Sequence, residues 1–482
     1  MPRTGSVPAF VTLCLLFALA VQSPPLTAQP ASQAVPPGVQ LVIDGYDLAA
    51  DSFTLLVQNT DGSAPLLAVN TEQAFNPAST IKTLTTLAGL EQLGAGYTWN
   101  THVYTRGDIT DGVLHGDLII QGGGDPFLVE EHLRSMLKTL QRRGIHTIVG
   151  DLVLESSLFD PSVSRDDVID GQPDRAYNVL PHALLSNFQV VTFYFRPHSN
   201  GRDVVITADP PLPNLRIVNQ LRQENRACSG FQRGVAFTAD RSASAVTFSG
   251  TFPSRCEEYA LARAVLDAPQ YLYGLFSVLW QELGGEHHGS WRSDDVPSDA
   301  ALVLSWQSPP LSDVIRSINK YSNNVMTRHL LLTLGLEHSG PPATLDKGVA
   351  AIREYLDGVG IAHDDLVMVN GAGLSRDVRL TASLLGAALR RGWQIPTMPE
   401  FAASLPLAGT DGTMRSRLSG PDTSATMHIK TGSLSGVNGV AGYVHGKSGN
   451  TYVVISLLNH PQADAGYGQE LGDALLRWAR EQ

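Results

Sequence analysis

Cysteine is scarce: three occur in 482 residues and no two are spaced as Cys-x-x-Cys, so neither a thiolate metal site nor a dithiol redox motif is encoded. His-Glu-x-x-His is missing as well. The pair His287-His288 after Glu286 points its rings to opposite sides of a strand, so no metal is expected there. Basic runs are absent: 34 Lys and Arg face 46 Asp and Glu, a formal net charge of −12, which argues against nucleic acid or an anionic membrane surface as a partner. A nucleotide loop is excluded too. Gly122-Gly123-Gly124-Asp125-Pro126 follows a strand and precedes a helix, but the third fingerprint glycine would fall on Phe127 and no Gly-Lys-Ser/Thr follows. A tight structural turn remains, and no cofactor is called for.

The longest apolar run, Ala9 to Val21, is too short for a retained membrane span. With Arg3 before it and Leu26-Thr27-Ala28 after it, residues 1–28 read as a secretory signal peptide, which places the mature chain in an oxidising, exported compartment, here the periplasm or cell envelope. Cys14 leaves with that segment. Cys228 and Cys256 remain and are expected to form a disulfide, worth roughly 3–4 kcal/mol for a loop of that size. The C-terminal segment Leu471 to Gln482 carries Asp473 and Glu481 and reads as a docked helix, not an anchor.

Length alone asks for more than one core. Gln29 to Gly38 reads as a leader, with structure from about Val39. Ser52 to Gln58 and Ala64 to Asn70 form a hairpin through Asp61-Gly62, and Gly436 to Val444 with Thr451 to Leu458 form another. Strands near both ends with helices between them predict an α+β fold: one antiparallel sheet, flanked by helices, built from the two termini. The stretch from Ser79 to Ser322 is too long for a connection. Within it Val113 to Gln121, Thr147 to Glu155, Val190 to Arg196, Asp203 to Ala208 and Ala245 to Gly250 read as strands, and Phe127 to Arg143 and Pro269 to Leu283 as helices. The expected division is a catalytic domain of residues 36–95 with 303–482, and one or two nested β-rich domains in 96–302.

Three stretches carry chemistry. Asn76-Pro77-Ala78-Ser79-Thr80-Ile81-Lys82 has a cap residue, a proline for the first helical position, and a hydroxyl one turn before an amine, ahead of an apolar stripe of Leu84, Leu87, Leu90 and Leu93. A serine at a helix start lies where backbone N–H groups favour negative charge, and Lys82 can take its proton. Next, Tyr321-Ser322-Asn323-Asn324 offers Ser-x-Asn. Its register is open, since Tyr321 and Asn323 fit Tyr-x-Asn, and the same residues suit a helix cap. Last, Lys430-Thr431-Gly432-Ser433 lies on a strand, where Gly432 would let a substrate backbone approach.

In this order the three stretches match the serine acyl-transferase set of penicillin-binding proteins and β-lactamases. The chain resembles the low-molecular-mass penicillin-binding proteins of the D-Ala-D-Ala carboxypeptidase/endopeptidase class that carry a large insertion after the first motif. Tyr177 to Asn187, Ser308 to Leu311, Lys320, Gly371 to Arg376 and Leu405 to Thr413 add to the likeness. It departs at Asn370 to Ser375, where relatives usually read Asp-Gly-Ser-Gly-Leu-Ser, and at Ser435, where they often have Gln. The resemblance implies a transpeptidase-like domain acting on peptidoglycan stem peptides, with β-lactams as covalent inhibitors. It implies Ser79 as nucleophile, Lys82 as base, Ser322 as proton shuttle and Asn324 holding the substrate amide. Lys430 and Thr431 would bind the terminal carboxylate, the N–H groups of Ser79 and Ser433 the oxyanion, and Arg376 the acidic end of the stem. A β-lactamase and a non-catalytic wall-binding protein are the rival readings; the first lacks a clear deacylating Glu.

Overall fold

The computed structural model describes residues 1, 2, 4, 5, 34–164, 168–230 and 234–482; the expected signal peptide, with Cys14, lies almost wholly outside the described residues. The two chain ends build one five-stranded antiparallel sheet in the order Met427–Leu434, Val437–His445, Thr451–Asn459, Phe53–Asn59, Leu67–Val69. Alternating side chains serve opposite faces. Leu55, Val57, Val454 and Leu458 meet the helices Pro37–Gly45 and Tyr467–Glu481, while Leu56, Ile455 and Leu457 meet a larger helical layer. With both faces covered, Phe53 to Gln58 are buried without a break, so the run does not alternate apolar with polar, and buried Thr54 is satisfied by donating to Val69 O (3.0 Å). The leader gives way to helix at Pro37, whose fixed φ suits a first turn, one residue before the expected end of the leader.

Lys82–Leu93 is the axis of the larger helical layer and is buried from Lys82 to Leu90. The expected stripe is instead a helix enclosed on all sides. Thr83, Thr85 and Thr86 tolerate this because their hydroxyls donate to the carbonyls of Thr80, Gly371 and Lys82. Gly94 ends the helix at φ 84°, as its position after the apolar run predicts. Around this axis pack Leu311–Tyr321, Asn324–Ser339, Leu345–Gly358 and Ala382–Gln394, through Leu84, Leu87, Ile315, Leu330 and Leu385.

The long insertion holds three further sheets. A seven-stranded mixed sheet comprises Asn100–Thr110, Val113–Gln121, Thr147–Ile148, Leu152–Glu155, Glu286–His287, Trp291–Ser293 and Ala301–Gln307, with helices Glu130–Arg142 and Ala268–Glu282 packed on it. The boundary expected at 302/303 falls inside Ala301–Gln307, which pairs with the strand beginning at Asn100. Two three-stranded sheets, Tyr259–Arg263/Val191–Pro197/Val204–Asp209 and Arg216–Glu224/Ala245–Pro253/Val235–Asp240, meet through Phe193, Phe195 and Phe248. Cys228 and Cys256, 28 positions apart, form the disulfide beside this core.

Candidate active site

Ser79 sits on a tighter turn than expected. Ala78–Ile81 is a 3₁₀ turn and the α-helix proper starts at Lys82. Asn76 does not cap that helix: its Oδ1 accepts from Ala78 N (2.9 Å) and its Nδ2 donates to the carbonyl of Ser375 (3.0 Å), fixing the entry to the turn. Ala78 is held at φ 44°, a left-handed conformation that costs on the order of 1 kcal/mol and keeps Ser79 half-exposed beside a buried lysine.

Lys82 is fully buried. Its Nζ lies 2.8 Å from Ser79 Oγ, 2.7 Å from Asn324 Oδ1 and 2.5 Å from the carbonyl of Ala372. A neutral amine has two N–H donors and one lone pair. The two carbonyls take the donors, which turns the lone pair to the serine hydroxyl. Burial pushes the Lys82 pKa well below 10.5, and the charges of Lys430 and Arg328 add to the push. Asn370, where the resemblance leads one to expect Asp, shapes the loop that supplies the Ala372 carbonyl: its Oδ1 accepts from Ala372 N (3.1 Å) and its Nδ2 donates to Leu374 O (3.0 Å).

The second stretch resolves into separate tasks. Ser322, at φ 57°, closes the helix Leu311–Tyr321 and turns its Oγ to Lys430 Nζ, 2.9 Å away. Asn323 caps the next helix by accepting from Met326 N (3.1 Å), and Asn324 Nδ2 donates to the carbonyl of Tyr177 (3.0 Å) in the insertion. Tyr321 is exposed, so Ser322 with Asn324 is the pair that reaches the lysines. One turn on, His329 Nδ1–H donates to Gly124 O (3.0 Å), and its Nε2 accepts from His182 N (3.4 Å). Burial lowers the His329 pKa to about 4, so this bolt between the catalytic helices and the insertion is neutral.

The strand Met427–Leu434 lies against the serine turn. Lys430 is fully buried, and its pKa is lowered by burial to about 7. It also donates to Thr431 O (2.6 Å), while Thr431 Oγ1 meets Thr413 Oγ1 at 2.7 Å. A Cβ on Gly432 would lie 2.7 Å from Pro77 O and 2.9 Å from Ser79 N, so what this glycine admits is the serine turn, where a substrate backbone was expected. Ser433 is exposed at the same edge. Arg376 donates to Ser435 O (2.5 Å) and pairs with Asp170 of the insertion (2.9 Å).

Ser79, Lys82, Ser322, Asn324, Lys430, Thr431, Gly432 and Ser433 therefore converge, with Arg376 at the rim. The Ala372 carbonyl, Thr413, Asp170 and the Tyr177 carbonyl join them without having been singled out for the site. Backbone carbonyls leave no residue signature, and Asp170 and Tyr177 lie in an irregular segment that only tertiary packing brings over the cleft.

A hydroxyl, a buried amine and two polar strips meeting between a helical layer and an antiparallel sheet define a serine acyl-transferring enzyme of the penicillin-binding/β-lactamase fold. Residues 39–482 match the D-Ala-D-Ala carboxypeptidase 3 (S13) family, and the chain belongs to this family of serine-type peptidases. A D-alanyl-D-alanine carboxypeptidase of Actinomadura sp. is 30% identical over 409 residues, spanning 80% of this chain and 73% of that relative. The D-alanyl-D-alanine carboxypeptidase DacB of Haemophilus influenzae is 26% identical over 387 residues, spanning 79% and 80%. The crystal structure of penicillin-binding protein 4 (DacB) from Haemophilus influenzae superposes with a TM-score of 0.77 at 22% identity, covering 92% of this chain and 99% of that one.

Proposed function

We propose that Ser79 attacks the carbonyl between two terminal D-alanines of a peptidoglycan stem, releasing D-Ala and leaving an acyl-enzyme that water resolves. The observation that carries this is the Lys82 amine, buried and 2.8 Å from Ser79 Oγ with both N–H donors spent on carbonyls. Lys82 takes the serine proton as the Oγ–C bond forms. The N–H groups of Ser79 and Ser433 hold the oxyanion, a feature worth roughly 3–4 kcal/mol per donor. The C–N bond then breaks, and Ser322, which touches Lys430, passes a proton to the leaving amine. Lys430 and Thr431 receive the terminal carboxylate, Asn324 the substrate amide, and Arg376 the acidic end of the stem. Cleavage of cross-links by the same acyl-enzyme belongs to this reading, as do residence in the cell envelope after export and acylation by β-lactams. Among the described residues no helix is long and apolar enough to cross a membrane.

The test is intact-mass spectrometry after exposure to benzylpenicillin, with Ser79→Ala in parallel. One stable β-lactam adduct on the wild type and none on the variant is the expected result. No adduct with fast hydrolysis would mean a β-lactamase; no adduct and no hydrolysis would leave a binding role.

A further inference from the structure

Val235–Asp240 and Tyr259–Arg263 are edge strands of the two small sheets, and between them lies a pocket of about 240 Å³. Its walls are Val235, Phe237, Tyr259 and Leu261, with the guanidinium groups of Arg175 and Arg263 set among them. Arg263 lies over the Phe237 ring, 5.6 Å from its centre, so the aromatic face already stabilises one cation there. Arg175 donates to the Gln172 side chain (2.7 Å) and Arg263 to its neighbour's carbonyl (2.8 Å), and neither forms an ion pair among the described residues. Asp174 pairs with Arg241 (3.5 Å) and attracts Arg263 only from a distance, while Arg175 repels it. Two like charges in one pocket, neither of them in an ion pair among the described residues, are a site prepared for an anion.

A short stretch of chain links the pocket to the cleft. Arg175 stands two residues before Tyr177, whose carbonyl takes the Asn324 amide, so the Cα atoms of the two are at most about 7 Å apart. The same segment carries Asp170, the partner of Arg376. We propose that this pocket is a second subsite, which holds a carboxylate of a peptidoglycan peptide at a distance from the reacting bond, through Arg175 and Arg263. This rests on the peptidase function proposed above and adds where the rest of the peptide goes.

The experiment uses the full chain carrying Ser79→Ala, so that peptide binds without turnover. Two stem pentapeptides ending in D-Ala-D-Ala are titrated by calorimetry, one with a free glutamyl carboxylate and one with the matching carboxamide. The free acid binds about 5-fold tighter, the size of one half-exposed charge contact, and this preference weakens as salt is raised. Arg175→Gln and Arg263→Gln each abolish the preference, Arg175→Lys keeps most of it, and the same substitutions with Ser79 intact leave benzylpenicillin acylation unchanged. Equal affinity for the two peptides would overturn the proposal. So would equal weakening of both by the Gln variants, or displacement by a glycerol-phosphate oligomer at lower concentration than by the acid peptide, which would assign the site to a phosphate polymer. Failure of the wild type to be acylated would instead sink the peptidase function while leaving the carboxylate preference measurable.

Discussion

Gly432→Ala tests how closely the third motif must press on the nucleophile. A Cβ there would meet Pro77 O at 2.7 Å, Ser79 N at 2.9 Å and Thr80 N at 3.0 Å, while ordinary contact begins at 3.4 Å. Relief needs the strand to retreat by the difference, about 0.7 Å, because every atom met is backbone. Overpacking of this kind costs about 1–3 kcal/mol of stability, which the large sheet and both helical layers can absorb. Chemistry is less forgiving. On the proposed mechanism two N–H groups, one on the serine turn and one at Ser433, must sit about 2.7–3.1 Å from one oxyanion, and losing one such donor costs about 10²–10³-fold.

Gly432→Ala therefore folds, melts a few degrees lower, and is acylated by benzylpenicillin about 10²-fold more slowly. The assay is the second-order acylation rate from rapid quench and intact mass, beside a thermal melt. Gly420→Ala is the control: the nearest atom to its Cβ would be Thr423 Oγ1 at 3.6 Å, and neither readout should move. A Gly432→Ala protein acylated within threefold of wild type would refute the claim that this contact sets the oxyanion geometry.

Lys430 falls from 10.5 to about 7 on burial, so between those values the unfolded chain holds a proton that the native state lacks, and native stability rises with pH across that window. Lys430→Met removes a penalty of at most about 5 kcal/mol, so its melting temperature should exceed wild type most near pH 7 and least near pH 10, while acylation collapses; an advantage that grows with pH would contradict this. On the proposed mechanism Lys82 acts as the free amine, and because its pKa is driven down, first by burial and then by Lys430 and Arg328, kcat/KM should rise with pH through that lowered value and not climb toward 10.5. Titrating the acylation rate from pH 5 to 10 settles it. Cys228→Ser with Cys256→Ser should lower the melting temperature by the equivalent of about 3–4 kcal/mol, measured by calorimetry, without slowing acylation, since the bridge lies in the insertion.

What could be read in advance follows from what sequence patterns encode. The three motifs carry their chemistry in side chains at short spacing, and the termini carry long runs buried on both faces, so the site and the terminal sheet were legible. Val113 to Gln121 appears with the bounds expected, having an apolar Leu118-Ile119-Ile120 run and a clear Asp111-Gly112 turn before it. Its partner Asn100–Thr110 was missed because its second half, Arg106 to Thr110, is exposed and has Ile109 as its one large apolar residue. Arg216–Glu224 was missed for the same reason: only Leu221 is fully buried. Such strands are held by pairing, to Val113–Gln121 and Ala245–Pro253 here, which a single segment does not announce. Gly432 and Ala78 show the same limit at the site. Their roles depend on what stands opposite them in space.

Lys320 and Asp411 explain how motifs so far apart in sequence keep one geometry. Lys320, two residues before Ser322, is buried, with Nζ 2.7 Å from an Asp411 oxygen and 2.6 Å from Leu405 O. Burial lowers its pKa and Asp411 opposes that; burial raises Asp411, but Lys320 and the Leu407 N–H outweigh it and hold the carboxyl below its usual range. Gly412, at φ 55°, brings the loop against Lys320 O, where a Cβ would come within 2.5 Å, and the next residue, Thr413, touches Thr431. The second motif thus locates the third through this ion pair as well as through the direct Ser322–Lys430 contact. Asp411→Asn leaves the Lys320 charge half-compensated and should cost about 2 kcal/mol, less than the 3–5 of a fully enclosed pair because Asp411 is about a third exposed. For wild type this stability is present above pH 3.8 and is lost as pH falls through the lower folded value, so the difference between the two proteins should vanish in acid. The loosened loop frees Thr413, and with it the orientation of Thr431, so KM for a D-Ala-D-Ala peptide should rise several-fold while kcat holds. A variant that melts lower but keeps its KM would show that the ion pair stabilises the loop without aligning the carboxylate site.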